Sequence, residues 1–398
     1  MSPNNPVILT HASGHASFAN AKAMELSGIT RATPNPAGGE ILKDAAGNPT
    51  GLLRETASGL IRTGRGDEAR ARKVLELASA EALSKGITTF QDAGSPFATV
   101  DLIKTMVDEG KLGVRLWIMI RANNAALAQN LAKYRMVDYG NGHLTVRAIK
   151  HSIDGALGSR GAWLLEPYSD KPDSTGLNTT PVDVIAATAK LALQHDYQLC
   201  VHAIGDRANR ETLDIFERAF KANPAKRDLR WRIEHAQHLS LSDIPRFGRL
   251  GVIASMQGIH CTSDAPYVPE RLGLKRAGEG AYVWQKLMKS GAVVTNGTDA
   301  PVEDVDPIAS YYASVSRKTK DGSVFFPDQR MSRMEALKAY TINAAHAGFD
   351  DRTRGSLKIG KYADMTVLSK DILTVSEDQI PTAHVAYTIV GGKILYKK

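Results

Sequence analysis

Short apolar runs alternate with helix-forming segments over most of the chain, and this alternation constrains the fold more than any other feature. Between residues 87 and 296 the runs are ITTFQD, VRLWIMI, LTVRAIK, LCVHA, RWRIEH, VIASM and VVTN. Apolar strands separated by amphipathic helices predict a parallel sheet with both faces covered. We count seven strand–helix units, one fewer than in a TIM-type (β/α)8 barrel, whose chemistry lies at the carboxyl ends of the strands. The sequence therefore predicts an α/β fold of this type that lacks its first strand.

Changes in pattern along the chain predict three parts. Residues 1–85 are expected to be a remnant of the barrel start with a small irregular subdomain, because residues 32–53 are rich in Pro, Gly and Asn. Residues 86–350 form the predicted barrel and catalytic domain, ending in a long helix that continues through TINAAHAGF. Residues 351–398 change to a period of two, which predicts a small β-module with a hairpin turn at Gly391–Gly392.

The composition excludes several classes of protein. The 398 residues are 43% hydrophobic and carry a formal net charge of +8, but the basic residues are scattered, so no nucleic-acid surface is predicted. The two cysteines, Cys200 and Cys261, are not in a CxxC motif and are predicted to be buried thiols. No apolar run approaches the roughly 20 residues of a membrane span, and the first residues lack the apolar core of a signal peptide.

Titratable residues stand at the ends of four predicted strands: Lys150, His202, His235 and Asp299. Each has an ordinary structural explanation when taken alone, such as a paired lysine, a buried histidine or a turn-forming aspartate. The four strand ends would, however, meet at one rim of the barrel. Histidines and a carboxylate that converge there suit Zn²⁺ or a similar divalent ion. A lysine ammonium cannot bind a metal ion unless its amine is carboxylated.

A second histidine pair, His11 and His15, has the spacing H-x-x-x-H. On a helix this spacing could share a metal ion, but Ser13 and Gly14 favour a turn. A substrate contact or a structural role is the preferred interpretation of this pair.

Eight segments distributed along nearly the whole chain carry a resemblance to a known family. They are GHASFANAKAMELSGI, PTGLLRETA, GITTFQDAG, IKHSIDGALGSRGAWLLEPYSD, VHAIGDRANRETLDIFE, RIEHAQHLS, NGTDAPVEDVDP and TINAAHAGFDDRTRGSLKIGKYADMTVLSKD. In these segments the chain resembles the amidohydrolase superfamily, and within it the branch of YtcJ-like proteins and N-substituted formamide deformylases.

The resemblance implies a metal-carrying barrel with a composite β-sandwich built from both ends of the chain. It implies one or two divalent ions, with zinc as the expected metal. Lys150 would be a carboxylated bridge, His202 and His235 ligands, and Asp299 both ligand and proton shuttle. Six further residues lie near the motifs and are candidates for contacts with a small-molecule substrate, a structural role being equally open for each: His15, Asn20, Ser159, Arg160, Arg207 and His238.

The chain departs from the family in one respect. The family places an H-x-H pair at the end of its first barrel strand, and none of the eleven histidines here forms one. A chain truncated at its amino end is therefore expected. Three functions stay open: a metal-dependent hydrolase of a non-peptide C–N bond, a hydrolase of an ester or lactone, and an inactive fragment. A homodimer is an open possibility, and a cytoplasmic location is the default expectation, since any signal peptide would lie in the missing part.

Overall fold

The structure is a computed structural model that describes residues 2–62 and 67–398. The predicted first domain, residues 1–85, thus includes five residues outside the described part, and the three domain boundaries stay predictions. The described strands are β1 (Ile8–Thr10), β2 (Ala16–Ala19), β3 (Gly39–Lys43), β4 (Pro49–Glu55), β5 (Thr89–Ser95), β6 (Arg115–Ile120), β7 (Met136–Asp138), β8 (Leu144–Ser152), β9 (Gln198–Ala203), β10 (Arg232–His235), β11 (Ile253–Gln257), β12 (Val294–Gly297), β13 (Met365–Leu368), β14 (Val385–Val390) and β15 (Lys393–Lys397).

Helices connect and cover these strands. They are α1 (Ala21–Ser27), α2 (Glu68–Ser84), α3 (Phe97–Asp108), α4 (Asn124–Tyr134), the single irregular turn α5 (Tyr139–Gly142), α6 (Val182–Gln194), α7 (Asp206–Ala222), α8 (Ile244–Leu250), α9 (Gly258–Asp264), α10 (Val268–Gly280), α11 (Trp284–Lys289), α12 (Pro307–Ser316), α13 (Arg333–Tyr340) and α14 (Ile342–Ala347).

The central sheet contains the seven predicted parallel strands, in the order β12-β11-β10-β9-β8-β6-β5. Within the described residues, β5 and β12 do not pair with each other, so the sheet is open. It is nevertheless strongly curled, because Arg232 of β10 donates a hydrogen bond of 2.6 Å to Gln91 of β5, and three strands lie between them. A curled parallel sheet covered by helices is consistent with a TIM-like fold.

Strand composition explains this arrangement. All six residues of β9 (QLCVHA) are buried, as expected for a strand covered on both faces. Cys200 and Cys261 are both buried free thiols, as predicted. The inside of the curl carries charge as well, since Arg232 Nε lies 2.6 Å from Glu234 Oε1 and its guanidinium lies 4.8 Å from the centre of the Trp117 ring.

The helix α14 covers the amino-terminal end of the curled sheet. Carbonyl groups in its last turn accept hydrogen bonds from side chains that start the strands: Ala344 from Gln91, Ala347 from Gln198 and Gly348 from Trp117, at 2.8, 2.9 and 3.0 Å. At Ala347 and Gly348 these contacts satisfy carbonyls left open at the helix end, whereas the Ala344 carbonyl also accepts from the Gly348 N–H. They close the end of the sheet opposite to the predicted site.

One predicted helix is broken in the structure. The capping box of Ser332 and Glu335 is present at the start of α13, as its sequence predicts. The helix ends at Tyr340, however, because Thr341 has φ −116° and ψ −95° and its hydroxyl donates to the Leu337 carbonyl at 2.7 Å. A threonine that bonds back to the preceding turn competes with helical pairing, and α14 begins as a separate helix.

Two small antiparallel sheets flank the central one. The first has the order β1-β2-β4-β3 and includes the predicted hairpin around Gly47 and Asn48. The second has the order β13-β14-β15 and turns at Gly391–Gly392, as predicted. This C-terminal sheet is present, whereas a complete β-sandwich stays a prediction. Among the described helices, none combines the length and the apolar character that crossing a membrane requires.

Candidate metal centre

The predicted metal-site residues lie at the carboxyl end of the central sheet. Lys150 is in β8, His202 in β9 and His235 at the end of β10, and Asp299 follows β12. The parallel register aligns Lys150 with Cys200 and His202 with Glu234, so the side chains stand at similar heights. The ring centroids of His202 and His235 are 4.5 Å apart. The structure thus brings these residues to one rim, while their roles as metal ligands stay predictions.

A histidine that the sequence analysis did not select completes the cluster. His235, His260 and Asp299 each offer a ligand atom, and these three atoms lie within 4.8 Å of one another. His260 is in α9, which begins directly after β11. The strand-end rule that selected the other residues would have found it if it had been applied to the first turn after the strand as well.

This donor set fits a divalent metal ion. Two imidazoles and a carboxylate are the donors that zinc binds in proteins. Nε2 of His260 is buried and has no hydrogen-bond partner among the described residues. A buried polar atom without a partner is costly, and a bound cation would satisfy it.

The backbone at two of these positions is strained. His235 has φ 78° and Asp299 has φ 57°, in the left-handed region that residues other than glycine rarely adopt. Such conformations cost about 1–3 kcal/mol each and concentrate at functional sites. At His235 and Asp299 these backbone conformations change the direction in which the side chain leaves the strand end.

Burial keeps the histidines neutral, which is the state that binds metal ions. It lowers the pKa of His235 to about 3 and that of His260 to about 4, and it holds the pKa of His202 well below its usual range. His235 Nδ1 lies 2.8 Å from the Gln257 Oε1 acceptor, so Nδ1 carries the proton and Nε2 is free to bind. The Gln237 side-chain amide lies 3.0 Å from His260 Nδ1 and orients the second ring. As placed, its N–H donates to Nδ1; turning the amide over brings its oxygen to Nδ1 and leaves Nε2 for a metal ion. Partners of this kind fix the tautomer of metal-binding histidines.

Asp154 carries a buried carboxylate that lies beside His202. Its carboxylate is fully buried, accepts backbone N–H bonds from Trp163, Ile204 and Gly205 at 2.8–3.0 Å, and lies 3.5 Å from His202 Nε2. Burial raises the pKa of Asp154 well above its usual range, and the three backbone donors oppose this shift. At this distance Nε2 of His202 makes no hydrogen bond with a described residue, so Asp154 lies beside the ring without setting its tautomer.

Lys150 is buried without a close counter-charge. Lys150 is only 3% exposed, and no carboxylate of the described chain lies within 4.0 Å of its Nζ. Burial lowers the pKa of Lys150, and the more distant charges of Glu234 and Asp299 partly restore it. An amine in this environment is neutral more often than a solvated lysine, and therefore more nucleophilic.

The Asp299 carboxylate is less acidic than usual. Burial raises its pKa, and the nearby His260 and Lys150 oppose this shift. A carboxylate with a raised pKa is a stronger base than an exposed aspartate and accepts a proton more readily.

Of three predicted substrate contacts, the structure places His15 beside this centre, whereas Ser159 and His238 are described by their own surroundings. The His15 ring is 5.0 Å from the His202 ring, and Ser159 Oγ donates to Glu55 at 3.3 Å. His238 is 2% exposed, and neither of its ring nitrogens has a hydrogen-bond partner among the described residues. The preceding histidine, His11, sits in a turn closed by Gly14, so the H-x-x-x-H pair is not helical.

The other three candidates have partners of their own. Asn20 caps α1 by accepting from the Ala23 N–H at 2.9 Å. Arg160 pairs with Asp170 at 2.7 Å, and the Arg207 guanidinium lies 4.5 Å from the centre of the Trp163 ring. A substrate role for each of these residues stays a prediction.

A curled parallel sheet whose carboxyl rim carries neutral histidines and a carboxylate has the architecture of a metal-binding TIM-like protein. The chain belongs to the amidohydrolase family, whose sequence profile matches residues 1–396. The predicted resemblance is thereby confirmed.

Curated relatives match the full chain. It is 36% identical to the protein LONG AFTER FAR-RED 3 of Arabidopsis thaliana, over 100% of this chain and 70% of the relative. It is 31% identical to the putative amidohydrolase YtcJ of Bacillus subtilis and 27% identical to the N-substituted formamide deformylase of Arthrobacter pascens, over 100% of this chain and 75% and 74% of those proteins. Among solved structures, an uncharacterised metal-dependent hydrolase of Pyrococcus horikoshii superposes with a TM-score of 0.76 at 26% identity, over 94% of this chain and 74% of that one.

Proposed function

We propose that this protein is a metal-dependent hydrolase that cleaves a non-peptide C–N bond, in an amide or a formamide, with an activated water molecule. The cluster of His235, His260 and Asp299 at the sheet's carboxyl rim carries this proposal. The named activity of the Arthrobacter relative, N-substituted formamide deformylation, supports the choice of bond. Fold and family alone do not fix the substrate.

The same cluster would hold the metal ion, with His202 beside it. Zinc or a similar divalent ion suits these donors. When bound, such an ion lowers the pKa of a coordinated water to near neutrality and polarises a carbonyl oxygen. His235 and His260 hold their rings in place through Gln257 and Gln237.

Asp299 moves the proton in the proposed reaction. It accepts a proton from the attacking water and delivers it to the leaving nitrogen, for which a pKa raised by burial is suited. Without this transfer an amide nitrogen would depart as an unstable anion.

Lys150 is the proposed second anchor. Attack of its neutral amine on carbon dioxide forms an N–C bond and releases a proton, and the product carbamate has anionic oxygens that can bind metal ions. The absence of a close counter-charge at this buried lysine, within the described residues, supports this assignment. The carbamate oxygens would then add anionic donors to the histidines of the rim for holding a metal ion.

The test is a substrate panel with metal-reconstituted protein. The protein is stripped with a chelator, reloaded with zinc, manganese or cobalt, and assayed for release of amine and formate from N-substituted formamides, for release of amine from amides, and for release of alcohol from esters. We expect metal-dependent amine release that falls about 10²–10⁴-fold in Asp299→Asn, and no change in Asp378→Asn, which alters an exposed carboxylate far from the centre along the chain.

The outcomes separate the alternatives. Hydrolysis of esters or lactones without amine release would replace the C–N proposal by the ester alternative. No turnover of any substrate, or turnover that Asp299→Asn leaves intact, would contradict the hydrolase assignment for this chain. A small-molecule substrate follows from the proposal, whereas a homodimer and a cytoplasmic location stay predictions.

A further inference from the structure

Glu55, at the end of β4, has a backbone conformation that side-chain-bearing residues rarely adopt. Its φ is 51° and its ψ is −126°. Outliers of this kind persist where the surrounding structure holds them in place, and they concentrate at functional sites. The proposed mechanism gives Glu55 no role.

The Glu55 carboxylate lies in a close-fitting cradle. Its side chain is 3% exposed. Two glycines of the loop after β8 make room for it, because a Cβ added at Gly155 or Gly161 would lie 2.0 or 2.1 Å from Glu55 Oε1. Ser159 Oγ from the same loop donates to this oxygen at 3.3 Å. The loop after β8 and the end of β4 are thus shaped around one carboxylate.

The other carboxylate oxygen holds His15. His15 Nδ1 lies 2.6 Å from Glu55 Oε2, and the Glu55 N–H donates to the His15 carbonyl at 3.0 Å. Two contacts therefore fix the imidazole relative to β4. Because a carboxylate can only accept, Nδ1 carries the proton, and in the neutral ring Nε2 keeps its lone pair.

His15 in turn faces the candidate metal centre. Its ring centroid is 5.0 Å from that of His202, with an angle of 44° between the two ring planes. The His15 side chain is 22% exposed, so it remains reachable from solvent. It is the group that the small amino-terminal sheet contributes to the rim.

We propose that Glu55 is a positioning residue for His15: it fixes the tautomer with a free Nε2 and orients that nitrogen toward the centre, where His15 contacts the substrate. This inference rests on the proposed hydrolase function. A merely structural pair would fasten the small sheet to the barrel, and its tautomer would not affect catalysis.

Four variants separate these roles. Glu55→Leu removes the acceptor, and Glu55→Gln keeps one acceptor oxygen in nearly the same volume. Gly161→Ala keeps the glutamate in the sequence, but the added methyl group pushes its carboxylate away from its present position. Glu25→Gln is the matched control, because Glu25 lies in the same part of the chain with its side chain 67% exposed.

Two readouts are measured on each variant. Long-range ¹H–¹⁵N correlation spectra of histidine-labelled protein report the His15 tautomer, assigned with His15→Asn, and need no turnover. Steady-state kinetics with the formamide panel report kcat and KM separately. Zinc content and the thermal midpoint serve as controls for folding.

We expect a single Nδ1-protonated tautomer of His15 in the wild type and in Glu25→Gln. Glu55→Leu and Gly161→Ala should lose it and show kcat/KM lowered about 10–100-fold, with Glu55→Gln recovering most of both. A His15 tautomer that is the same in Glu55→Leu as in the wild type would overturn the proposal, as would loss of activity only in proportion to loss of folded protein. If the wild type turns over nothing, the hydrolase proposal fails, and the tautomer spectra still decide whether Glu55 positions His15.

Discussion

The imidazole rings of His235 and His260 lie nearly parallel, 16° apart, with their centroids separated by 6.3 Å. One ring follows β10 and the other follows β11, and Asp299 offers a carboxylate oxygen to the gap between them. The first ring is carried by a strand and the second by the helix that directly follows the neighbouring strand. A preorganised pair of neutral imidazoles is the basis of the predictions about metal binding that follow.

Replacing His260 should abolish tight metal binding. His260→Gln removes one of three donors, so we expect zinc affinity to fall more than about 100-fold, beyond the 10–100-fold that the loss of outer partners costs. Competition titration with a chromophoric chelator measures the affinity. The matched control is His384→Gln, which alters an exposed histidine in the C-terminal sheet region. Equal zinc affinities in the two variants would exclude His260 from the metal site.

Replacing Asp154 should weaken metal binding without removing a ligand. Asp154→Asn can no longer accept on both oxygens, although three backbone N–H groups are directed at them and His202 Nε2 lies 3.5 Å from Oδ1. We expect the His202 ring to lose its fixed position and zinc affinity to fall about 10–100-fold. The measurement combines histidine ¹⁵N spectra with the same chelator titration. A variant with reduced thermal stability but unchanged zinc affinity would limit Asp154 to a structural role.

The stability of the metal-free protein should fall as the pH is lowered. Burial lowers the pKa of His238 to about 3, against about 6.5 for a histidine in an unfolded chain. The folded-state pKa is depressed, so the unfolded chain takes up a proton that the folded chain excludes. The stability is therefore fully present above pH 6.5 and is lost toward pH 3, at up to about 1.4 kcal/mol per pH unit for each such histidine.

His238→Phe isolates this effect, because phenylalanine fills similar space beside Tyr282 and does not titrate. Urea unfolding of the metal-free proteins between pH 7.5 and 4.5 should show a slope that is shallower in the variant by about 1.4 kcal/mol per pH unit near the acid end. Parallel curves for the two proteins would show that His238 titrates normally in the folded state.

The Arg115–Asp364 pair should be the main anchor of the C-terminal sheet. The two side chains are 1% and 4% exposed, with contacts of 2.7 and 3.1 Å, and the Gly391 N–H donates to the same carboxylate at 2.8 Å. Asp364→Ala leaves a buried guanidinium without its counter-charge, so we expect a loss of about 3–5 kcal/mol in the free energy of unfolding. The exposed pair of Lys22 and Glu25 provides the control, since Glu25→Ala should leave stability unchanged. Equal effects of the two substitutions in urea unfolding would contradict this.

The alternating apolar runs predicted the central sheet well, because strands buried on both faces leave a clear pattern. Local signals such as the capping box at Ser332 were equally reliable. The break at Thr341 was missed because a single hydroxyl that bonds back to Leu337 decides it, and the helical pattern continues on both sides. The packing of α14 against the amino-terminal end of the sheet depends on contacts between distant segments, which no local sequence pattern records.

The candidate site was predicted in part. His202, His235 and Asp299 were selected since each stands at a strand end, whereas His260 lies in the first turn of the following helix. Glu55 left no signal, because its importance comes from Gly155 and Gly161, distant in the chain, which make room for its carboxylate. Pairing of this kind becomes visible only in three dimensions.

The most direct test of the metal centre is anomalous diffraction at the zinc absorption edge, from crystals grown with a slight excess of zinc. We predict a peak at about 2.0–2.2 Å from a nitrogen of His235, a nitrogen of His260 and an oxygen of Asp299. A well-ordered site with no anomalous peak among these three residues, or a zinc ion bound only elsewhere on the chain, would contradict the assignment.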